Sequence, residues 1–363
     1  MSGSGRTDLA ESFARLIRSD GPMPVARFMG ESNARYYAAR DPLGAAGDFV
    51  TAPDISQMFG EMVGLWLVDL WVRAGRPADA IYAELGPGRG TLARDALRVM
   101  RGQGLEPQVH LVEGSPALRK VQGEALPGAA FHDDIASLPE DRPLLLVANE
   151  FLDALPVRQL VRTEAGWRER MVALAPEDTA DVPGAAFVFT AGTQPMDAAV
   201  SERWRGAPVG TLIETCPGAA AAMAELARRL TTQGGAALLI DYGHLAPRAG
   251  STLQAVRAHA KVDPLALPGE ADLTAHVDFA MLAEIAQNAG VPWIAGTTQG
   301  AWLGAVGIEA RAQALSARAP ERAEEVAAAH RRLVHGDDMG DLFKVFALSG
   351  GGWPPGAGFA PQA

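Results

Sequence analysis

Tyr82-Ala83-Glu84-Leu85-Gly86-Pro87-Gly88-Arg89-Gly90-Thr91 runs an apolar, acid-bearing strand into three alternate glycines and then into a helix. Such a turn brings backbone close to a ligand. Glycine lacks the Cβ that would block contact, and the following helix opens on unpaired N–H groups. The order of elements suits a nucleoside-bearing cofactor, and the spacing selects among such cofactors. Dinucleotide sites favour G-x-G-x-x-G, whereas this loop reads E-x-G-x-G-x-G, with its third glycine already at Gly90. Glu84 would repel a diphosphate and attract the amino group of a methionine. The loop therefore predicts S-adenosylmethionine rather than NAD, held around Glu84, Gly86, Pro87, Gly88 and Gly90.

Downstream, Val109-His110-Leu111-Val112-Glu113 reads as a second strand ending in an acid. Glu113 comes about twenty residues past the loop, where a doubly wound sheet places the carboxylate that grips both ribose hydroxyls; a solvated strand-end acid is the alternative. Ser115 lies beside it. Further apolar runs, 129–132, 144–148, 236–240, 292–296 and 342–348, alternate with helical spacing. They predict a doubly wound, mostly parallel α/β sheet of seven strands with helices on both faces. The core is expected over 77–150 and 233–349, below an N-terminal helical cap over 1–76. Residues 151–232, with antiparallel alternation, read as an inserted α+β substrate-side subdomain, and 350–363 as a mobile tail. One long helix is expected from Pro53 or Asp54 to Val72, with an exposed face that could serve a homodimer, and another over 273–289.

The chain has 363 residues, 48% hydrophobic and 21% charged, with 32 basic against 43 acidic residues. That composition is ordinary for a soluble globular protein, and a net charge of -11 disfavours nucleic acid as a partner. A basic substrate fits better. Cys216 is the sole cysteine, which excludes an internal disulfide and a cysteine zinc cluster and agrees with a reducing cytoplasm. Neither a signal peptide nor a membrane span is predicted.

Ligands of open α/β sheets bind outside the carboxyl ends of the strands. Asp133, Asp134 and Ile135 follow the third strand and suit the adenine, or cap the next helix. Asn149, Glu150 and Asp153 follow the fourth, and Asp241 and Tyr242 the fifth. Methyl transfer is mostly positioning. For an arginine nitrogen it also needs a carboxylate that orients the guanidinium and accepts its proton, with Glu150 first and Asp153 second. The other reading of Glu150 is structural, tied to backbone N–H groups. A Gly-Asp-Phe-x-Thr loop at Gly47 could lie over the cofactor as a lid, with Phe49, Thr51 and Gln57 touching ligand. His276 and Asp278 fall near the expected substrate mouth, or serve a helix start; no histidine pair has metal-ligand spacing.

Several separated blocks carry a family resemblance: 47–61 (GDFVTAPDISQMFGE), 84–90 (ELGPGRG), 149–156 (NEFLDALP), 241–243 (DYG), 272–279 (DLTAHVDF) and 339–344 (MGDLFK). The chain resembles the MidA family, methyltransferases whose mitochondrial members assist assembly of respiratory complex I. The resemblance spans nearly the whole chain. It implies a class I, Rossmann-like methyltransferase fold with an insertion, S-adenosylmethionine as donor, and a protein arginine as acceptor, on the 49-kDa-type complex I subunit. One departure is Ala52 where a serine is expected, which leaves Thr51 as the better donor there. Two rivals remain: a cofactor-binding assembly factor that modifies nothing, and an NAD-dependent oxidoreductase.

Overall fold

The computed structural model describes residues 6–39, 51–176 and 187–360. At its centre are seven strands, β1 (Ile81–Leu85), β2 (Gln108–Val112), β3 (Ala130–His132), β4 (Leu144–Asn149), β5 (Gly235–His244), β6 (Trp293–Thr298) and β7 (Phe343–Ser349). Their order is β6-β7-β5-β4-β1-β2-β3, and only β7 is antiparallel to its neighbours. The chain leaves β1 in one direction and β4 in the other, so the strand order reverses between them. Their carboxyl ends open there into a crevice, the usual ligand position in this architecture.

The strands are continuous apolar runs because both faces are covered. Leu145, Val147, Tyr82, Leu238 and Val345 face helices Gln57–Arg73 and Thr91–Gly102. Leu144, Leu146, Ala83, Leu239 and Phe346 face helices Pro217–Gln233 and Phe279–Asn288. A Cβ on Gly64 would fall 2.7 Å from the Ala96 carbonyl oxygen, so glycine lets the first two helices pack backbone to backbone.

A third apolar core joins helices Arg6–Asp20 and Val25–Ala39 to an antiparallel sheet whose main strands are Arg158–Thr163, Gly166–Leu174, Phe187–Pro195 and Leu212–Thr215. A small sheet, Gln254–Arg257, Ala260–Val262 and Asp272–Thr274, closes it.

Several expectations are corrected. The helix predicted over 273–289 begins only at Phe279. Leu273, Ala275, Val277 and Phe279 alternate with polar residues, a period of two that belongs to extended chain, and Val277–Asp278 adds a short eighth strand beside β5. The helix expected from Pro53 breaks at Ser56, whose extended backbone (φ -160°, ψ 140°) separates Ala52–Ile55 from Gln57–Arg73 and whose hydroxyl caps the second piece. That second helix exposes only Leu65 and Val72 among its large apolar residues, a narrow face for a dimer. Strand β5 continues past Ile240 because β7 pairs with it as far as Tyr242. Three helices, Gln299–Ala305, Ile308–Arg318 and Ala323–Val334, fill the stretch between β6 and β7. Residues 351–360 are pinned rather than mobile: the Trp66 indole donates to the Ala357 carbonyl at 3.0 Å, and Phe359 packs edge-on to Trp293.

Candidate functional site

A cavity of about 380 Å³ opens over the carboxyl ends of β1, β2 and β4, a size typical of small-molecule sites. The glycine loop forms one wall. Gly86, Gly88 and Gly90 have φ of 59°, 55° and 77°, and a Cβ on Gly86 would stand 2.8 Å from the Phe151 ring. Gly86 and Gly88 line the cavity with Pro87, while Gly90 is the N-cap of helix Thr91–Gly102 and packs against Leu126. Glu84, 2% exposed, reaches the cavity from within β1, and its Oε2 accepts the Tyr82 hydroxyl at 2.6 Å. Burial pushes its carboxyl up to about 7, against the Tyr82 hydrogen bond that favours the charged form.

Glu113 faces the loop from the end of β2. Its carboxylate accepts from the Ser115 N–H at 2.8 Å and from Gln122 at 3.1 Å, and Gln122 also donates to the Gly88 carbonyl. Gln122 thus fixes the distance between the ribose-type carboxylate and the glycine turn. Ser115 lines the cavity while its hydroxyl caps helix Pro116–Ala125.

At the end of β4, Glu150 is held at φ 52°, a conformation that costs a non-glycine residue energy and is characteristic of functional sites. Its N–H donates to Ile240, and its carboxylate accepts from Asn149 Nδ2 at 3.1 Å and from the Ala52 N–H at 3.3 Å. Removal from water raises the carboxyl to about 7; those two hydrogen bonds oppose the rise, and the nearby Asp54 and Asp272 charges add to it. An ionised carboxylate only accepts, so the amide nitrogen of Asn149 must face it. Asn149 Oδ1 is left buried and, among the described residues, without a hydrogen-bond partner. A buried acid with no cation beside it among the described residues in Glu84, an orphaned acceptor in Asn149 and a glycine cradle are what an adenosyl amino acid would complete.

Thr51 also lines this cavity, donating to Asp54 at 3.1 Å; Phe49 and the rest of its loop lie outside the described residues. Other expected residues sit elsewhere. Gln57 donates to Glu61 in a separate cleft. Asp133 is at the surface, paired with Arg119 at 2.5 Å. Asp134 caps the single turn Ile135–Ser137, and Ile135 is buried in the core. Asp153 is buried behind the cavity. Beside it Asp241 accepts from the N–H groups of Leu152, Asp153 and Tyr242. Burial raises both acids, helped at Asp153 by the Asp241 charge and at Asp241 by the Glu150 charge, while the three N–H bonds oppose the rise at Asp241. The substrate-side expectation for Asp241 and Tyr242 is therefore corrected: Tyr242 packs on Phe343 with ring centres 4.0 Å apart. His276 and Asp278 line a separate hollow of about 20 Å³, and Asp278 caps helix Phe279–Asn288. Burial lowers the His276 imidazole to about 4, so it is neutral at physiological pH.

Among the cavity residues that the sequence reading did not name are two polar ones from far outside the sheet. Asn33 and Tyr37 come from helix Val25–Ala39. Asn33 exchanges hydrogen bonds with both backbone groups of Leu273 and donates to Ala154, and Tyr37 donates to Asp272 at 2.8 Å. The 272–279 block is thus a strap that ties the N-terminal helix over the cavity.

Residues 62–295 match a family described as "Putative S-adenosyl-L-methionine-dependent methyltransferase". The chain belongs to these MidA-like methyltransferases. Family members similar to it include the mitochondrial protein arginine methyltransferase NDUFAF7 homolog of Drosophila melanogaster, 37% identical over 95% of this chain and 85% of the relative. The human protein arginine methyltransferase NDUFAF7 is 33% identical over 92% and 81%. A candidate methyltransferase from Burkholderia thailandensis, crystallised with S-adenosylhomocysteine, superposes with a TM-score of 0.78 at 28% identity, covering 94% of this chain and 91% of that one. The methyltransferase fold and S-adenosylmethionine as cofactor follow, and the NAD reading falls. Among the described residues no helix is long and apolar enough to cross a membrane.

Proposed function

We propose that this methyltransferase alkylates a guanidino nitrogen of a protein arginine, in the cytoplasm, and that the 49-kDa-type complex I subunit is its acceptor. The observation that carries the reading is Glu150: a non-glycine residue at φ 52° on the end of β4, its carboxyl turned to the cavity and poised near 7. The names of the relatives, protein arginine methyltransferases, point the same way.

When bound, S-adenosylmethionine supplies a methyl group on a cationic sulfur. Glu84 and Asn149 Oδ1 would hold its methionine end, the glycine loop its middle and Glu113 its ribose. Glu150 draws the guanidinium by charge, orients it and takes the proton that the alkylated nitrogen sheds; a carboxyl near 7 suits that exchange at physiological pH. Mass spectrometry of host proteins with and without the gene tests the reading. An arginine methyl increment on the complex I subunit that vanishes with the gene is expected; a change on lysine or glutamine instead would overturn it. A Glu150→Gln protein that loses methylation yet still supports complex assembly would favour a purely binding role.

A further inference from the structure

The hydrogen bonds along one side of the cavity share a direction. Tyr37 donates its hydroxyl hydrogen to Asp272, Thr51 and Thr91 donate theirs to Asp54, and Asn149 turns its amide nitrogen to Glu150. All four donors line the cavity, and each spends hydrogen on a carboxylate. The three hydroxyls can then offer a ligand only oxygen lone pairs, and Asn149 adds its unpartnered Oδ1 beside one remaining N–H. A guanidinium has five N–H donors and no acceptor, so it is satisfied by such hydroxyls, whereas the carbonyl of an isosteric urea would meet only acceptors at them. Asp272 is buried, and Asn33, one turn before Tyr37 on the same helix, ties the neighbouring Leu273 to Ala154, so the Tyr37–Asp272 pair lies on the side of the cavity walled by the segment that carries Glu150.

We infer that Tyr37, its proton committed to Asp272, is a specificity-determining residue of the acceptor end, accepting an N–H of the arginine guanidinium that Glu150 holds. This rests on the arginine reading above and adds the group that selects arginine over neutral isosteres such as citrulline.

The test is equilibrium binding of n-butylguanidinium and of n-butylurea to the full-length protein saturated with S-adenosylhomocysteine, followed by NMR titration. Wild type is expected to prefer the guanidinium by at least about tenfold. Tyr37→Phe removes the oxygen, and Asp272→Leu removes the acceptor that holds the phenol hydrogen and lets it turn back to the cavity; each is expected to lower the preference about three- to tenfold. A purely structural role would weaken both ligands alike and leave their ratio unchanged, so an unchanged ratio in both variants overturns the assignment. A wild-type ratio near one sinks the arginine reading itself. Should Tyr37→Phe fail to fold, Asp272→Leu alone decides by the same ratio.

Discussion

Glu84→Gln converts the buried acid of β1 into a neutral isostere that still accepts the Tyr82 hydroxyl. The folded-state carboxyl titrates near 7 against an ordinary 4.5, so the protonated form is the one that folding favours. Its stabilising contribution is whole below about pH 4.5 and is lost as pH rises through 7, a loss of about 2–3 kcal/mol between pH 5 and 8. For a chain of this length that corresponds to about 3 °C in Tm, which the glutamine variant without ligand will no longer show. Cofactor binding provides the second readout. If Glu84 pairs with the methionine ammonium, it must ionise before binding. The ligand amine, with a pKa of about 7.8, must keep its proton. Wild-type affinity for S-adenosylmethionine will then peak between pH 7 and 8 and fall about fifteenfold by pH 5.5. Glu84→Gln will bind more weakly and lose the acid limb. Calorimetric titration of both proteins from pH 5.5 to 8.5 measures this, and parallel acid limbs would refute the pairing.

With a defined acceptor, kcat/KM will rise with pH to a plateau with an inflection near 7, the Glu150 value, and Glu150→Gln will lower kcat by about a hundredfold or more while cofactor affinity stays within a few fold; stopped-time assays across pH check both. Glu113→Ala removes the carboxylate proposed to hold the ribose and frees Gln122 from its place against the glycine turn, so cofactor affinity will drop about ten- to a hundredfold by calorimetry. Gly64→Ala sets a Cβ 2.7 Å from the Ala96 carbonyl and will destabilise the fold by about 1–3 kcal/mol in urea melts, well away from the cavity.

The parts of the site that could be read in advance are those encoded locally. Glu84, the three glycines, Glu113 and Glu150 each sit where a strand ends, and a strand end carries its own signature in apolar run and turn chemistry. Tyr37 and Asn33 had none: they lie on a helix that reaches the cavity through the 272–279 strap, a long-range contact that no spacing announces. A signal did exist in the strap itself. The alternation of Leu273, Ala275, Val277 and Phe279 was overlooked because an apolar helix follows directly. Asp241 was misplaced because β5 extends past its apolar run, held by pairing to a strand about a hundred residues later, and the acid lies inside the sheet. Asp133 and Asp134 read equally as adenine contacts or as a helix start, and the Asp134 bond to Ser137 is the helix start.

Strand β7, the last of the central sheet in chain order, is not at its border but threads between β5 and β6. Until it emerges from the ribosome, β6 has no neighbour to join in that sheet, and Trp66 waits for the carbonyl of Ala357, 291 residues further on. The sheet therefore closes only after β7 has been made. A product cut short before residue 343 would display open sheet edges and bare indole, and so be a substrate for chaperones and proteases rather than a weakened enzyme.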